Sequence, residues 1–289
     1  MKVSKLTDGI SKPVVLACAF VSFLVLAGIF IFTLIEALPA FGKIGIFNFL
    51  FGTVWRPGQE QFGILPMVIG SLAVTAGSML LAIPLGIACA ILLAEVAPQR
   101  VQAVLRPAVE LLVGIPSVVY GVVGMVLIVP QVRLLGGSGY SILAACIVLM
   151  AMVLPTIISI SEDSIRAVPR SYREGSLALG ATRWQTIWRV LLPAARSGII
   201  ASIILGIGRA IGETMAMIMV IGNAVLIPTS PLDPARTLTG NIAVEIMYAA
   251  GTHREALFAT GVVLFLLIIV INSLAMLVMR RSETRLGEG

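Results

Sequence analysis

Two charges inside an otherwise apolar run are the residues of this chain best suited to chemistry. The run Gly206-Ile-Gly-Arg209-Ala-Ile-Gly-Glu213-Thr-Met-Ala216 carries one guanidinium and one carboxylate. At the centre of a bilayer each costs roughly 2.5–3.5 kcal/mol on insertion scales, so such charges are kept for a partner or for a function. Spaced i, i+4, they share one face of a helix and can pair. One reading is a self-neutralising pair that holds two helices together. The other is that Arg209 lines the route of an anion and Glu213 moderates its grip. A planar guanidinium donates two parallel hydrogen bonds and suits tetrahedral oxyanions, whereas an unopposed arginine in a narrow route would trap its cargo. Gly206, Gly208 and Gly212 permit close approach of another helix or of a substrate.

A second constellation is Glu174-Gly175-Ser176-Leu-Ala-Leu-Gly180, followed by Val190-Leu-Leu-Pro193. It lies in a polar segment, 162–196, where six arginines accompany Glu162, Asp163 and Glu174. Ser164–Leu179 reads as a short helix that Gly180 ends in a left-handed turn. Thr182 then caps a second helix, whose Trp184, Ile187, Trp188, Leu191 and Leu192 recur on one face. An amphipathic pair lying among lipid headgroups uses Trp and Arg in this way, but it has no need of the spacing from Glu to Gly to Pro. A third signal is Gly114-Ile-Pro116-Ser117. Proline frees the carbonyl four residues back and predicts a kink, tolerated in a membrane where it faces protein or a cavity. Ser117 is therefore either a packing residue at that kink or part of a route.

The elements that must position these residues are membrane spans. The chain has 289 residues, 58% hydrophobic and only 12% charged, with a mean hydropathy of +1.06; ordinary domains run near 25% charged. A crossing takes roughly 20 apolar residues. Six runs qualify: Pro13–Leu38, Ile64–Ala97, Pro107–Val132, Ser141–Ser161, Ala195–Ile227 and Ala256–Met279. Nothing alternates over the roughly ten-residue segments that a β-barrel needs. The first run is too long for the core of a cleaved signal peptide, and Leu38-Pro39-Ala40 is a poor cleavage site. Of 20 basic residues, 14 fall in the segments that share a side with the N-terminus. The positive-inside rule then places both termini in the cytoplasm, and the net charge of +6 suits anionic headgroups or an acidic partner better than nucleic acid.

Other chemistry is excluded. Cys18, Cys89 and Cys146 sit singly within spans, as packing residues. His253, the lone histidine, reads as a solvated residue of an outer loop, since a metal site needs several clustered ligands. Glu95 and Glu110, near cytoplasmic span ends, are solvated or pair with Arg100 and Arg106. A phosphate-cradling G-x-x-x-x-G-K-[ST] loop is absent, because Gly42-Lys43 lacks both the earlier glycine and the hydroxyl. No catalytic residue, cofactor or metal is expected. An integral membrane enzyme would need clustered acids, histidines or nucleophiles within the spans, and only Arg209 and Glu213 are there.

The spacing Glu174-Gly175-Ser176, Gly180, Val190-Leu-Leu-Pro193 resembles the coupling motif of ABC importer membrane subunits, E-A-A, three residues, Gly, nine residues, I-x-L-P. Gly175 and Ser176 replace two alanines and Val190 an isoleucine. Along nearly the whole chain the pattern is similar to the phosphate-importer permease subunits of that family. The residues that carry this are Trp55-Arg-Pro, Phe62-Gly, Pro66, Gly70-Ser-Leu, Gly114-Ile-Pro-Ser-Val-Val-Tyr-Gly121 and Gly208-Arg-Ala-Ile-Gly-Glu-Thr-Met-Ala216. The resemblance implies an all-α integral membrane fold with six transmembrane helices of the type I ABC importer permease kind and cytoplasmic coupling helices. It also implies that Glu174, Gly175, Ser176, Gly180 and Pro193 dock on a separate cytoplasmic ATPase dimer, and that Arg209 and Glu213 serve phosphate passage; Ser117 stands beside them as the route candidate that the proline kink offers. A second, similar permease subunit and an extracytoplasmic phosphate-binding protein complete the expected assembly, with the loops 39–63 and 228–255 as candidate docking surfaces. The domain layout is a cytoplasmic tail at 1–12, the first span and outer loop at 13–63, the importer transmembrane domain at 64–280 with its coupling segment at 162–196, and a tail at 281–289. Two rivals stand beside this reading: the same architecture carrying another oxyanion, and a secondary anion transporter, against which the coupling motif argues.

Overall fold

The computed structural model describes residues 2–284, with side chains placed for 13–277; Arg285 and most of the expected C-terminal tail fall outside the described residues. Four helices are each long and apolar enough to cross a membrane: Pro13–Ile44, Leu65–Val96, Ile142–Arg166 and Thr252–Leu277. Two further helix pairs meet the same measure only when taken together: Gln99–Gly114 with Ser117–Arg133, bent by 100°, and Arg183–Ala194 with Arg196–Gly212, bent by 68°. The chain is a multi-pass helical membrane protein. Its basic end carries the segment 162–196, and its opposite end carries the loops.

The second and fourth spans form the centre. Val74, Met79 and Ala82 pack with Ala145, Leu149, Met152 and Ile157. The two backbones approach closely because a Cβ on Gly77 would lie 2.5 Å from Cys146 Sγ, and one on Gly86 2.7 Å from Ile157 Cγ2. Small residues permit such contact where lipid offers no hydrophobic drive, and Cys146 is a packing residue as its sequence context suggests. The first and last spans pair along one side, with Phe30 against Phe265 at 4.8 Å between ring centroids. The outward face of the first span stays apolar and exposed, as a lipid-facing surface does.

Several boundaries differ from the expected ones. The first helix, described from Lys2, continues through Pro39 to Ile44, so the chain is still helical where the outer loop was expected to open. The fourth span runs five residues past Ser161 to Arg166, because Glu162 and Arg166 pair along the helix at 3.0 Å instead of turning to water. Its start is as expected, with Ser141 Oγ accepting from Ala144 N at 3.2 Å. The expected span Pro107–Val132 is broken at Ile115-Pro116, and the expected span Ala195–Ile227 is broken after Gly212.

The loop end is more ordered than its composition suggests. Trp55–Arg56 pairs with Gln61–Phe62 as a small antiparallel hairpin. From Gly222 the chain folds back into the bundle, and a Cβ on Gly70 would lie 2.5 Å from the Arg236 carbonyl oxygen. Thr237 caps the helix Leu238–Glu245, whose Leu238 N donates to Ser71 Oγ of the second span at 2.9 Å. Leu238, Thr239, Gly240 and Asn241 are buried, so part of the expected outer loop 228–255 is core. His253 is not solvated: its Nε2 lies 2.8 Å from Glu245 Oε2, beside the rings of Trp55 and Phe62. At the loop tip Asp233 accepts from the backbone N–H of Thr229, the Thr229 hydroxyl and the backbone N–H of Ser230. These donors, the Thr229 backbone first, hold its carboxyl below the usual range. Because the folded pKa is lowered, the turn holds at neutral pH and is lost only as pH falls through that lowered value.

Candidate functional site

The helix that carries Arg209 ends at Gly212, and Glu213 is extended, with φ −68° and ψ 129°. A new helix, Met215–Val220, starts two residues later. Glu213 Oε1 accepts from Ala216 N at 3.1 Å, so the carboxylate caps the second helix, satisfying a donor that the break exposes. The freed carbonyls also find partners. Thr214 Oγ1 donates to Gly212 O at 3.2 Å, and Thr239 Oγ1, from the helix Leu238–Glu245, donates to Glu213 O at 3.0 Å.

The pair expected on one helix face is therefore not made. Arg209 sits in the last turn of its helix, where the dipole favours a cation, and Glu213 sits at the start of the next, where it favours an anion. Each charge is stabilised by its own helix end, which removes the need for the other. Among the described residues Arg209 has no ion pair and no hydrogen bond, and it is half-buried. Of the three nearby glycines only Gly206 serves close packing, since a Cβ there would meet Val153 Cγ1 at 3.0 Å; nothing lies within 4 Å of one on Gly208 or Gly212. The face beside Arg209 is open.

The second break faces the first. Pro116 cannot donate to Leu112 O, and the kink expected from Gly114-Ile-Pro116-Ser117 is a complete break with a 100° turn. The Leu112 carbonyl accepts instead from Ile115 N at 3.4 Å and from Tyr120 Oη at 2.9 Å. Ser117 opens the helix that follows and is half-buried; among the described residues it makes no side-chain hydrogen bond to Arg209 or Glu213. This helix packs on Met215–Val220 through Gly121, where a Cβ would lie 2.6 Å from Met219 Sδ and 3.0 Å from Ala216 Cα. Gly121→Val should force the two broken helices apart at a cost of about 1–3 kcal/mol. The thermal midpoint of the purified subunit should fall clearly for Gly121→Val and stay level or rise for Gly208→Ala, which has room.

At the basic end the elbow forms, but its first arm starts six residues later than the expected Ser164, because Ser164–Arg166 continue the fourth span and Pro169 opens a new helix. Arg170–Ala178 is a helix, Gly180 has φ +84°, and Gly180 N and Ala181 N donate to Leu177 O and Ser176 O at 3.0 and 3.2 Å. These two bonds make a Schellman ending. Thr182 and Gln185 then form a reciprocal capping box, and Ser176 Oγ lies 3.0 Å from Thr186 Oγ1 across the two arms. Glu174, Gly175, Gly180 and Pro193 are exposed, and at the tip Leu179 is 90% exposed. The expected apolar face divides. Ile187 and Leu191 are buried against Ala90, Ile91 and Ile165, while Trp184 and Trp188 are 59% and 61% exposed. The bundle covers one edge of that arc, and a π-turn at Ile187–Leu191 changes the helical register within it.

Two ion-pair clusters bind this elbow to the spans. The Arg173 guanidinium donates to Glu95 Oε1 at 2.9 Å, Val168 O at 2.7 Å and Ile165 O at 2.9 Å. Glu162, buried, accepts from Arg106 Nε at 2.8 Å and Arg166 Nε at 3.0 Å, and Arg166 Nη2 donates to Leu93 O at 2.8 Å. Glu95 pairs with Arg173, 78 residues away, instead of Arg100, and Arg106 with Glu162, 56 residues away, while Glu110 is exposed, the solvated alternative of its sequence reading. Arg173→Ala removes three acceptor contacts and leaves a half-buried carboxylate behind, which costs a few kcal/mol, on the order of 2–4. Tryptic cleavage at the exposed Arg170 and Arg183 should accelerate in membranes carrying Arg173→Ala, and change little for Glu95→Gln, which keeps an acceptor.

Residues 82–288, which contain both helix breaks and the elbow, match the profile of the binding-protein-dependent transport system inner membrane component. The chain belongs to this family. It is 44% identical to the probable ABC transporter permease protein YqgH of Bacillus subtilis, over 91% of this chain and 89% of that relative. It is 35% identical to the phosphate transport system permease protein PstC of Mesorhizobium japonicum, over 98% and 93%. Among solved structures, a chain of the inward-facing MetNI methionine ABC transporter superposes with a TM-score of 0.60 at 22% identity, over 79% of this chain and 99% of that one. A chain of a bacterial alginate ABC transporter does so with 0.65 at 17% identity, over 96% and 98%. The fold is thus that of the type I ABC importer permeases, with the first span and the Trp55 hairpin lying outside the family's matched region. Thr239, Tyr120 and Arg173 complete the site and its attachment. Tyr120 lay in the Gly114–Gly121 run and Arg173 in the polar segment 162–196, but what Arg173 and Thr239 bind is set by tertiary contacts.

Proposed function

We propose that this chain is one permease subunit of an ATP-driven phosphate importer. The reading rests on Arg209, a half-buried guanidinium with no partner among the described residues, on an open face between two broken helices. It is supported by relatives named as phosphate transport permeases at 31–35% identity. Five donors in a planar fork match the oxygens of phosphate, and with Glu213 turned to the next helix those donors are available to cargo. Glu213 still keeps a negative charge nearby, which shortens the stay of the anion. The basic end lies in the cytoplasm with both termini, by the positive-inside rule. There the elbow from Glu174 to Pro193, with Gly175, Ser176 and Gly180, docks on a partner ATPase dimer, which hydrolyses ATP. A second permease subunit supplies the other wall of the route, and an external phosphate-binding protein delivers the anion to the loop end. ATP-driven closure moves the elbow, and Arg173, Glu95 and Glu162 carry that motion into the second, third and fourth spans, exposing the Arg209 region outward and then inward.

The test is uptake of labelled phosphate by vesicles holding the whole complex. Uptake should require both ATP and the phosphate-loaded binding protein, and excess sulfate or phosphonate should leave it unchanged. Equal competition by sulfate would assign the architecture to another oxyanion, and uptake without ATP would assign it to a secondary transporter.

A further inference from the structure

The helix Leu238–Glu245 joins two parts of the molecule that the proposed function uses separately. At its first turn Thr239 Oγ1 donates to the carbonyl of Glu213, the extended residue of the broken fifth span. At its last residue Glu245, buried, accepts from Trp55 Nε1 at 2.8 Å and Arg236 Nη1 at 2.6 Å, and lies 2.8 Å from His253 Nε2. One carboxylate thereby gathers the hairpin before the second span, the returning loop and the start of the last span. Immediately beyond it Met247 and Tyr248 stand exposed at the loop end, Met247 at 89%. A short rigid rod thus runs from an exposed surface to the backbone beside Arg209.

The same junction holds an unmade hydrogen bond. Asn241 Nδ2 and Asn223 Oδ1 are buried without partners, a donor and an acceptor on facing segments that Arg236 bridges through Asn241 Oδ1 and Asn223 O. Asn223 Oδ1 lies 3.9 Å from the position of a Cβ on Gly240, the residue before Asn241. Asn223 also holds a left-handed backbone, with φ +52°, which asparagine adopts more readily than most residues. Buried polar groups are almost always paired, and this donor and this acceptor are not.

We propose that Leu238–Glu245 is a strut that carries the docking of the binding protein at the loop end to the break at Glu213, with Thr239 as the positioning residue at its inner end and Glu245 at its outer end. This rests on the importer reading, and uptake by the wild-type complex tests that reading on its own. The strut is tested by Thr239→Val, Thr239→Ser, Glu245→Gln and the double variant Thr239→Val/Glu245→Gln, each in the full complex. Maximal uptake should fall about five-fold or more for Thr239→Val and recover for Thr239→Ser, while the concentration of phosphate-loaded binding protein giving half-maximal uptake stays constant, because docking itself is untouched. The double variant should be no worse than the poorer single one, since residues acting as one unit are non-additive. Normal maximal uptake in Thr239→Val, or losses that multiply in the double variant, would overturn the proposal. Should Thr239→Val not assemble, Glu245→Gln decides: lowered maximal uptake at unchanged half-saturation supports the strut, and altered half-saturation with the maximum kept removes it.

Discussion

Arg209→Gln is expected to abolish most phosphate uptake while the subunit still inserts and assembles. Glutamine keeps a polar, hydrogen-bonding end on a shorter side chain but loses the charge and the paired donors. Charge-assisted hydrogen bonds contribute about 1.5–3 kcal/mol each, and about 3 kcal/mol lost at the rate-determining complex is on the order of a hundred-fold. Arg209→Lys, which retains a point charge without the fork, should fall between. What makes the experiment decisive is the position of Glu213. Had the two charges neutralised each other, removing Arg209 would strand a buried carboxylate and cost assembly. Glu213 instead accepts from Ala216 N, so the substitution leaves no group unpaired. Full assembly with uptake lost is the predicted outcome, checked by co-purification of the partner subunits alongside vesicle uptake. Loss of assembly, or normal uptake, would return Arg209 to a packing role.

Gly180→Asp should stop uptake by a different route. With φ at +84° any L-residue is strained there, but aspartate tolerates the left-handed region better than most, so the fold loses about 1 kcal/mol. Nothing lies within 4 Å of a Cβ at this position, and the chain itself has no clash to relieve. The new carboxylate projects from the exposed elbow into the surface proposed to meet the ATPase, where a buried unpaired charge costs several kcal/mol. Stimulation of ATP hydrolysis by the loaded binding protein should vanish together with uptake. Gly180→Asn, with the same backbone tolerance and no charge, should retain more of both. Normal ATP-coupled uptake by Gly180→Asp would exclude the elbow as the coupling surface.

The elbow and the broken spans were legible in the sequence to different degrees. Gly180, Thr182 and Gln185 act within a few residues of one another, through left-handed backbone and capping, and those rules are local. Pro116 announced a disruption, yet its size was set elsewhere: at the 100° break Ile115 N and Tyr120 Oη both donate to the Leu112 carbonyl, and Gly121 lets the next helix seat against Ala216. The spacing of Arg209 and Glu213 pointed to one continuous helix. That expectation failed because Gly212 allows the chain to leave the helix and Thr239, 26 residues on, satisfies the carbonyl left behind. His253 read as solvated because nothing near it in sequence shows that Trp55, 198 positions earlier by its number, would share Glu245 with it.

Composition, apolar run length and local capping signals by themselves determined a multi-pass helical membrane protein with an exposed elbow, because hydrophobic transfer and helix termination depend on residues close together in the chain. Which charge meets which partner was decided by the tertiary structure alone. Glu95 reaches Arg173, Glu162 reaches Arg106, and Arg209 is left without a carboxylate, since electrostatic pairing in a low-dielectric bundle depends on which helix ends the packing brings into contact.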